Sequence, residues 1–108
     1  MKKLSLLATV IIGLLTVSSA TFAQSTYAQT HPRRHEVTAR LSNQNRRIHN
    51  EVSHGDMSRA EAARLHRQDR RIRTEERRMA RRDHGHITPQ EQARLNRQEN
   101  RVSKKIGS

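Results

Sequence analysis

The phrase HGHITPQEQARLNRQ at residues 84–98 echoes HGDMSRAEAARLHRQ at residues 54–68. Each begins with His-Gly, passes through a Thr or Ser, and runs into Ala-Arg-Leu. Read locally, each phrase is a helix end, a turn and a helix start. Gly55 and Gly85 fit the residue just past a helix C-terminus, where a left-handed backbone is favoured. His54 and His84 precede them, and in protonated form would complement the helix dipole. Ser58 and Thr88 fit the N-cap of the next helix. Glu61 and Glu91, three residues later, complete the capping-box pattern. Pro89 stands at the first helical position, where its missing N–H costs nothing.

Ala-Arg-Leu occurs three times, at 39–41, 63–65 and 93–95. A Gln follows three residues after each Leu (Gln44, Gln68, Gln98). Ile48, Ile72 and Val102 follow at seven, each preceded by an Arg. Spacings of three, four and seven are helical, so each unit places Leu, Gln and Ile or Val on one stripe. Met79 and Ile106 extend two of these stripes, and Asp69 and Glu76 interrupt one. The pattern predicts helices near 34–53, 58–83 and 88–106, with helpful i,i+4 pairs at Glu36–Arg40, Asp69–Arg73 and Arg71–Glu75. Two tight turns favour antiparallel neighbours. The expected fold is all-α: two or three helices in a hairpin or bundle, with a thin core. An extended set of helices that packs only in an oligomer is the rival.

The beginning of the chain reads differently. Lys2 and Lys3, an apolar run from Leu4 to Val17, and Thr21 and Ala23 as small residues before a cleavage point form a secretory signal pattern. The expected organisation is a signal peptide at 1–23, cleaved after Ala23, a flexible segment at 24–35, and an Arg-rich helical repeat region at 36–106. That pattern implies a periplasmic or secreted protein, with no transmembrane segment in the mature chain. The chain has no Cys, which excludes thiol chemistry and disulfides.

Without Lys2 and Lys3, 20 of the 22 basic residues remain against ten acids, a net charge of +10; 18 of those 20 are Arg. DRRIRTEERRMARRD, residues 69–83, carries seven arginines: Arg70, Arg71, Arg73, Arg77, Arg78, Arg81 and Arg82. The arginine fork binds phosphate, sulfate and carboxylate in a bidentate way. A polycation of this kind binds polyanions with steep salt dependence. These seven are the candidate polyanion-binding residues, pointing in several directions as a basic rod; an ordinary solvated face is the plainer reading. With Tyr27 the sole aromatic after the leader, stacking platforms for bases are missing, so nucleic acid is expected only as an in-vitro ligand.

Two other chemistries are suggested by the turns. Residues 85–91 and 55–61 look like the back half of a calcium loop. The front-half positions, however, are Ala80, Arg82 and His84, or Asn50, Val52 and His54, which are not oxygen ligands in the number calcium takes. His54, His84 and His86 are the candidate metal residues, His54 with Met57 forming an H-x-x-M group suited to soft ions. No further ligands stand nearby in sequence, and no cofactor is expected. For catalysis there is no Cys nucleophile, phosphate loop or H-E-x-x-H, so the protein reads as a non-enzyme.

Thr88, Pro89, Glu91, Arg94, Leu95, Gln98 or Glu99, and Arg101 resemble the T-P-x-E-x-x-R-L-x-x-x-Q-x-R repeats of small exported bacterial proteins. Ile87, Thr88 and Glu91, and Met57, Ser58 and Glu61, resemble the L-T-x-x-Q motif of CpxP/Spy-type periplasmic chaperones, with departures at two of three positions. The second resemblance implies an ATP-independent helical chaperone for unfolded clients. The functional expectation is an exported Arg-rich helical protein that binds an anionic envelope component or an acidic or unfolded protein. Homo-oligomers are admitted, and a CpxP/Spy-like stress chaperone is the alternative.

Overall fold

The computed structural model describes residues 26–107. Three helices follow one another: α1 (Pro32–Ser53), α2 (Arg59–Arg82) and α3 (Pro89–Ile106). Each packs on the other two, so the all-α expectation holds and the hairpin closes into a three-helix bundle. The leader expected at 1–23 lies outside the described residues. Within the segment expected to be flexible, 26–30 form a helical turn in which Thr30 Oγ1 donates to the Thr26 carbonyl at 3.0 Å. The first long helix starts at Pro32, four residues before the expected boundary at 36. Pro32 occupies its first turn, where proline is well tolerated.

The two connections differ in detail from their similar sequences. After α1, Gly55 takes the left-handed position at φ +76°, donating to the Val52 carbonyl at 3.0 Å while Asp56 donates to that of Glu51 at 2.9 Å. After α2 the equivalent left-handed residue is His84, at φ +52°, and Gly85 follows at φ +95°. The Gly85 N–H then closes the helix on the Ala80 carbonyl at 2.8 Å. The assignment of Gly85 to the residue just past the helix end is therefore corrected by one position. Asp83 still caps α2, and this pushes His84 into the slot that glycine favours.

The starts differ too. Thr88 and Glu91 form the full capping box: Glu91 N–H donates to Thr88 Oγ1 at 3.1 Å and Thr88 N–H to Glu91 Oε1 at 2.9 Å. Ser58 accepts from Glu61 N–H at 3.1 Å, but the reciprocal half is missing. The Glu61 carboxylate turns instead to Arg64, three residues on, at 3.1 Å.

The core runs along the stripes read from the sequence. Val37, Leu41 and Ile48 come from α1, Leu65, Ile72 and Met79 from α2, and Leu95, Val102 and Ile106 from α3. Ile87 closes one end, and Val52 and Met57 pack against the cluster partly buried. Arg34 meets Glu76, and Asn45 meets His66, so α1 and α2 are antiparallel. Gln44 reaches Glu99 and Arg47 reaches Ser103, so α1 and α3 are parallel.

These registers bring Gln44, Asp69 and Glu99 to about one level in the middle of the bundle. All three are buried. The repeat glutamine is therefore the buried polar residue only in α1. In α2 and α3 the following acid takes that place, and Gln68 and Gln98 stand half-buried at the edge. Gln44 Nε2 donates to the Glu99 backbone carbonyl at 2.7 Å. The carboxylate oxygens of Asp69 and Glu99 have no hydrogen-bond partner among the described residues. Burial pushes the Asp69 carboxyl up to about 6, against a smaller downward pull from Arg73. Burial pushes Glu99 up to about 8; Arg40 opposes the rise, while Glu36 and Asp69 add to it.

Candidate functional site: a basic groove between α2 and α3

The arginines divide by helix. Four of the five in α1 hold the bundle; the fifth, Arg46, is exposed and reaches only Asn43 on its own helix. Arg33 Nε donates to the Ile87 carbonyl at 2.6 Å. Arg34 pairs with the buried Glu76 through two nitrogens and reaches the Gly85 carbonyl at 3.3 Å. Arg40 lies 3.6 Å from Glu99 and donates to Asn100. Arg47 donates to Ser103 Oγ at 2.8 Å and to the Gly107 carbonyl at 2.6 Å, which ties down the exposed carbonyls at the end of α3. Sequence reading missed this class. For Arg34 and Arg40 the signal was position: arginines flanking the apolar stripe of α1, opposite Glu76 and Glu99, which the stripes of α2 and α3 bury.

The arginines of α2 have a different environment. Arg67, Arg70, Arg71, Arg78 and Arg82 line one open groove of about 1030 Å³, together with Arg94 of α3. Thr74, Glu75, Gln90 and Glu91 complete its polar wall, and Met79 lies at its floor. None of those five α2 arginines forms an ion pair among the described residues, and all five are exposed. Arg94 is held by Glu75 at 3.1 Å, across the groove, and Gln98 Nε2 donates to the same carboxylate at 2.8 Å. The Arg71–Glu75 pair expected from spacing is absent for this reason: Glu75 spans to α3. Of the other expected pairs, Glu36–Arg40 forms at 3.9 Å.

Of the seven candidate arginines, the structure thus brings Arg70, Arg71, Arg78 and Arg82 together on the groove. It adds Arg67 and Arg94, which sequence reading left out. Arg73, Arg77 and Arg81 fall on a separate stripe, at i,i+4 spacing on the same helix. Repeat position selects the groove: helical spacing runs 67, 71, 74, 78, 82 along one edge of α2, beside the buried stripe 65, 69, 72, 76, 79.

The candidate metal residues are not assembled. His54 ends α1 with Nδ1 2.7 Å from the Asn50 carbonyl. His84 and His86 lie in the α2–α3 turn at the other end of the bundle. The 24 residues of α2 separate the two turns by roughly 36 Å at 1.5 Å per residue. His86 stacks instead on His31, with ring centroids 4.7 Å apart. Among the described residues no three His, Cys, Asp or Glu side chains are placed to hold a metal ion. No helix there is long and apolar enough to cross a membrane.

No family model, no curated protein and no solved structure matches the chain.

Proposed function

We propose that this is an exported, non-enzymatic helical protein that binds anionic partners at the cell envelope through the α2–α3 groove. One observation carries the reading. Five exposed arginines without carboxylate partners converge on one groove, while Arg33, Arg34, Arg40 and Arg47 of α1 are consumed by structural contacts. Unpaired guanidinium groups held on a preformed helix retain their capacity for bidentate recognition and lose little backbone entropy on binding. The net charge of +10 that remains without the leader lysines adds long-range attraction for any anionic surface. Export and the envelope enter from the leader pattern at 1–23.

The chaperone alternative has the basic charge and the helical form in its favour. The apolar side chains that a client-binding surface would use are inside this bundle, and Tyr27 is the one large exposed apolar residue among those described. The anion-binding reading therefore stands first.

The test is binding of anionic phospholipid vesicles and of a soluble polyanion across a salt series. Affinity should fall linearly on a log–log plot as salt rises, reporting release of counterions. Absence of binding to both at low ionic strength would overturn the reading.

A further inference from the structure

We infer that the groove takes an extended, unbranched polyanion bearing phosphate groups along its length, lying parallel to α2. This deepens the anion-binding proposal and rests on it. The groove is longer than the recess described above. Arg71 also lines a second recess of about 250 Å³ that continues between α2 and α3 past Gln98 to Arg101 and Lys105. The arginines of α2 on this side span positions 67 to 82, roughly 22 Å of helix at 1.5 Å per residue.

Their spacing decides between ligands. Arg67 and Arg71 are one turn apart, as are Arg78 and Arg82. Arg94 of α3, held opposite Glu75, fills the interval between those pairs. A guanidinium therefore recurs about once per turn along the whole groove. A single compact anion meets one or two of these levels, whereas a chain carrying charge along its length meets all of them. The lining also restricts the chemistry. It has no aromatic side chain, so nucleobases find no stacking surface. Its apolar floor is the buried Met79, with Ile72 and Val102 beneath the second recess, which leaves no slot for an acyl chain. Arginine forks with a threonine hydroxyl and glutamine amides are donors suited to phosphate oxygens.

Glu75 has a defined part in this. Its carboxylate lies between the helices, bonded to Arg94 and Gln98, and supplies one built-in negative charge at the middle of the groove. A phosphate chain must take Arg94 from it. Removing that charge frees Arg94 and removes a repulsion.

The experiment is a binding titration at fixed salt with orthophosphate, tripolyphosphate, a linear polyphosphate long enough to span the groove, and anionic phospholipid vesicles. The wild type is compared with three variants. One carries Arg71→Gln, Arg78→Gln and Arg82→Gln. A second carries Arg73→Gln, Arg77→Gln and Arg81→Gln, the same change of charge on the same helix outside the groove. The third is Glu75→Gln. The expected result is affinity rising steeply with chain length. The groove triple should weaken long-chain binding by more than about tenfold, since three charge-assisted contacts to the chain are lost together. The off-groove triple should weaken it much less, and Glu75→Gln should tighten it. Far-UV circular dichroism verifies that each variant is folded; among the described residues, Glu75 is the only one of the seven altered side chains that bonds to another helix. Equal weakening by the two triples would leave polyanion binding intact and overturn the groove. Vesicles bound while soluble polyphosphate is not would overturn the linear ligand in favour of a membrane surface. Failure of every probe would overturn the anion-binding proposal itself.

Discussion

Glu99 is fully buried, and its carboxylate oxygens accept no hydrogen bond among the described residues. Arg40, the nearest cation, stands 3.6 Å away, too far to donate a good one. Burial lifts the group from 4.5 to about 8, so at pH 7 the folded protein holds it neutral while the unfolded chain ionises it. At about 1.4 kcal/mol per pH unit, that protonation costs about 3 kcal/mol of stability at pH 7. The sign follows from the raised value: the contribution of Glu99 is whole below pH 4.5 and is lost as pH climbs through about 8. Asp69 adds the same trend between 3.8 and about 6. Glu99→Met keeps similar volume, leaves the Gln44 bond to the Glu99 backbone carbonyl in place, and lets the third-exposed Arg40 return to water. The variant should be more stable than wild type by about 2–3 kcal/mol at pH 7, where neutral Glu99 draws no ionic attraction from Arg40. This is a rise of roughly 10 °C in Tm for a bundle of this size. Thermal and urea unfolding followed by far-UV circular dichroism at pH 5, 7 and 8.5 measures it. The charged surface is otherwise common to both proteins, so the difference between their curves isolates this group, and the gain should grow with pH. A variant less stable than wild type at pH 7, with the same pH slope, would mean that Glu99 is a satisfied ion and not a neutral, destabilising acid.

Arg34→Ala should cost about 3–5 kcal/mol in urea unfolding, because it leaves the buried Glu76 without its ion-pair partner, whereas Arg70→Ala should leave stability unchanged within about 0.5 kcal/mol. His84→Gly should raise stability by about 0.5–1 kcal/mol by placing glycine at φ +52°, and a loss of stability would show that the histidine side chain contributes more than its backbone costs. Leu65→Asp puts a charge at a fully buried core position and should abolish the cooperative helical melt at 25 °C; unchanged helicity would refute the stripe assignment.

The fold was legible because the repeat carries it twice over. The apolar period places Leu41, Leu65 and Leu95 on inward faces, and the Gly, Ser or Thr, and Glu signals mark both turns within a residue or two. What sequence could not show were choices among near-equal local partners. Glu61 could serve its N-cap or Arg64, and Glu75 could serve Arg71 on its own helix or Arg94 on the next; in both cases an arginine reachable from the folded backbone prevailed. The site was half legible. Seven clustered arginines announce a cation-rich helix, but the division between groove and off-groove residues depends on where α3 lies against α2. The clamp roles of Arg33, Arg34 and Arg47 depend on contacts across 42 to 60 residues of sequence.

In the proposed function the arginines of α2 and α3 lining the groove, and not the basic charge as a whole, receive the anion. Arginine Nε–Hε chemical shifts, followed by NMR as linear polyphosphate is added at low ionic strength, address it most directly. The largest changes are expected at Arg67, Arg70, Arg71, Arg78, Arg82 and Arg94, small ones at Arg73, Arg77 and Arg81, and none at Arg33, Arg34 and Arg47. Uniform changes over every exposed arginine, Arg97 included, would contradict it.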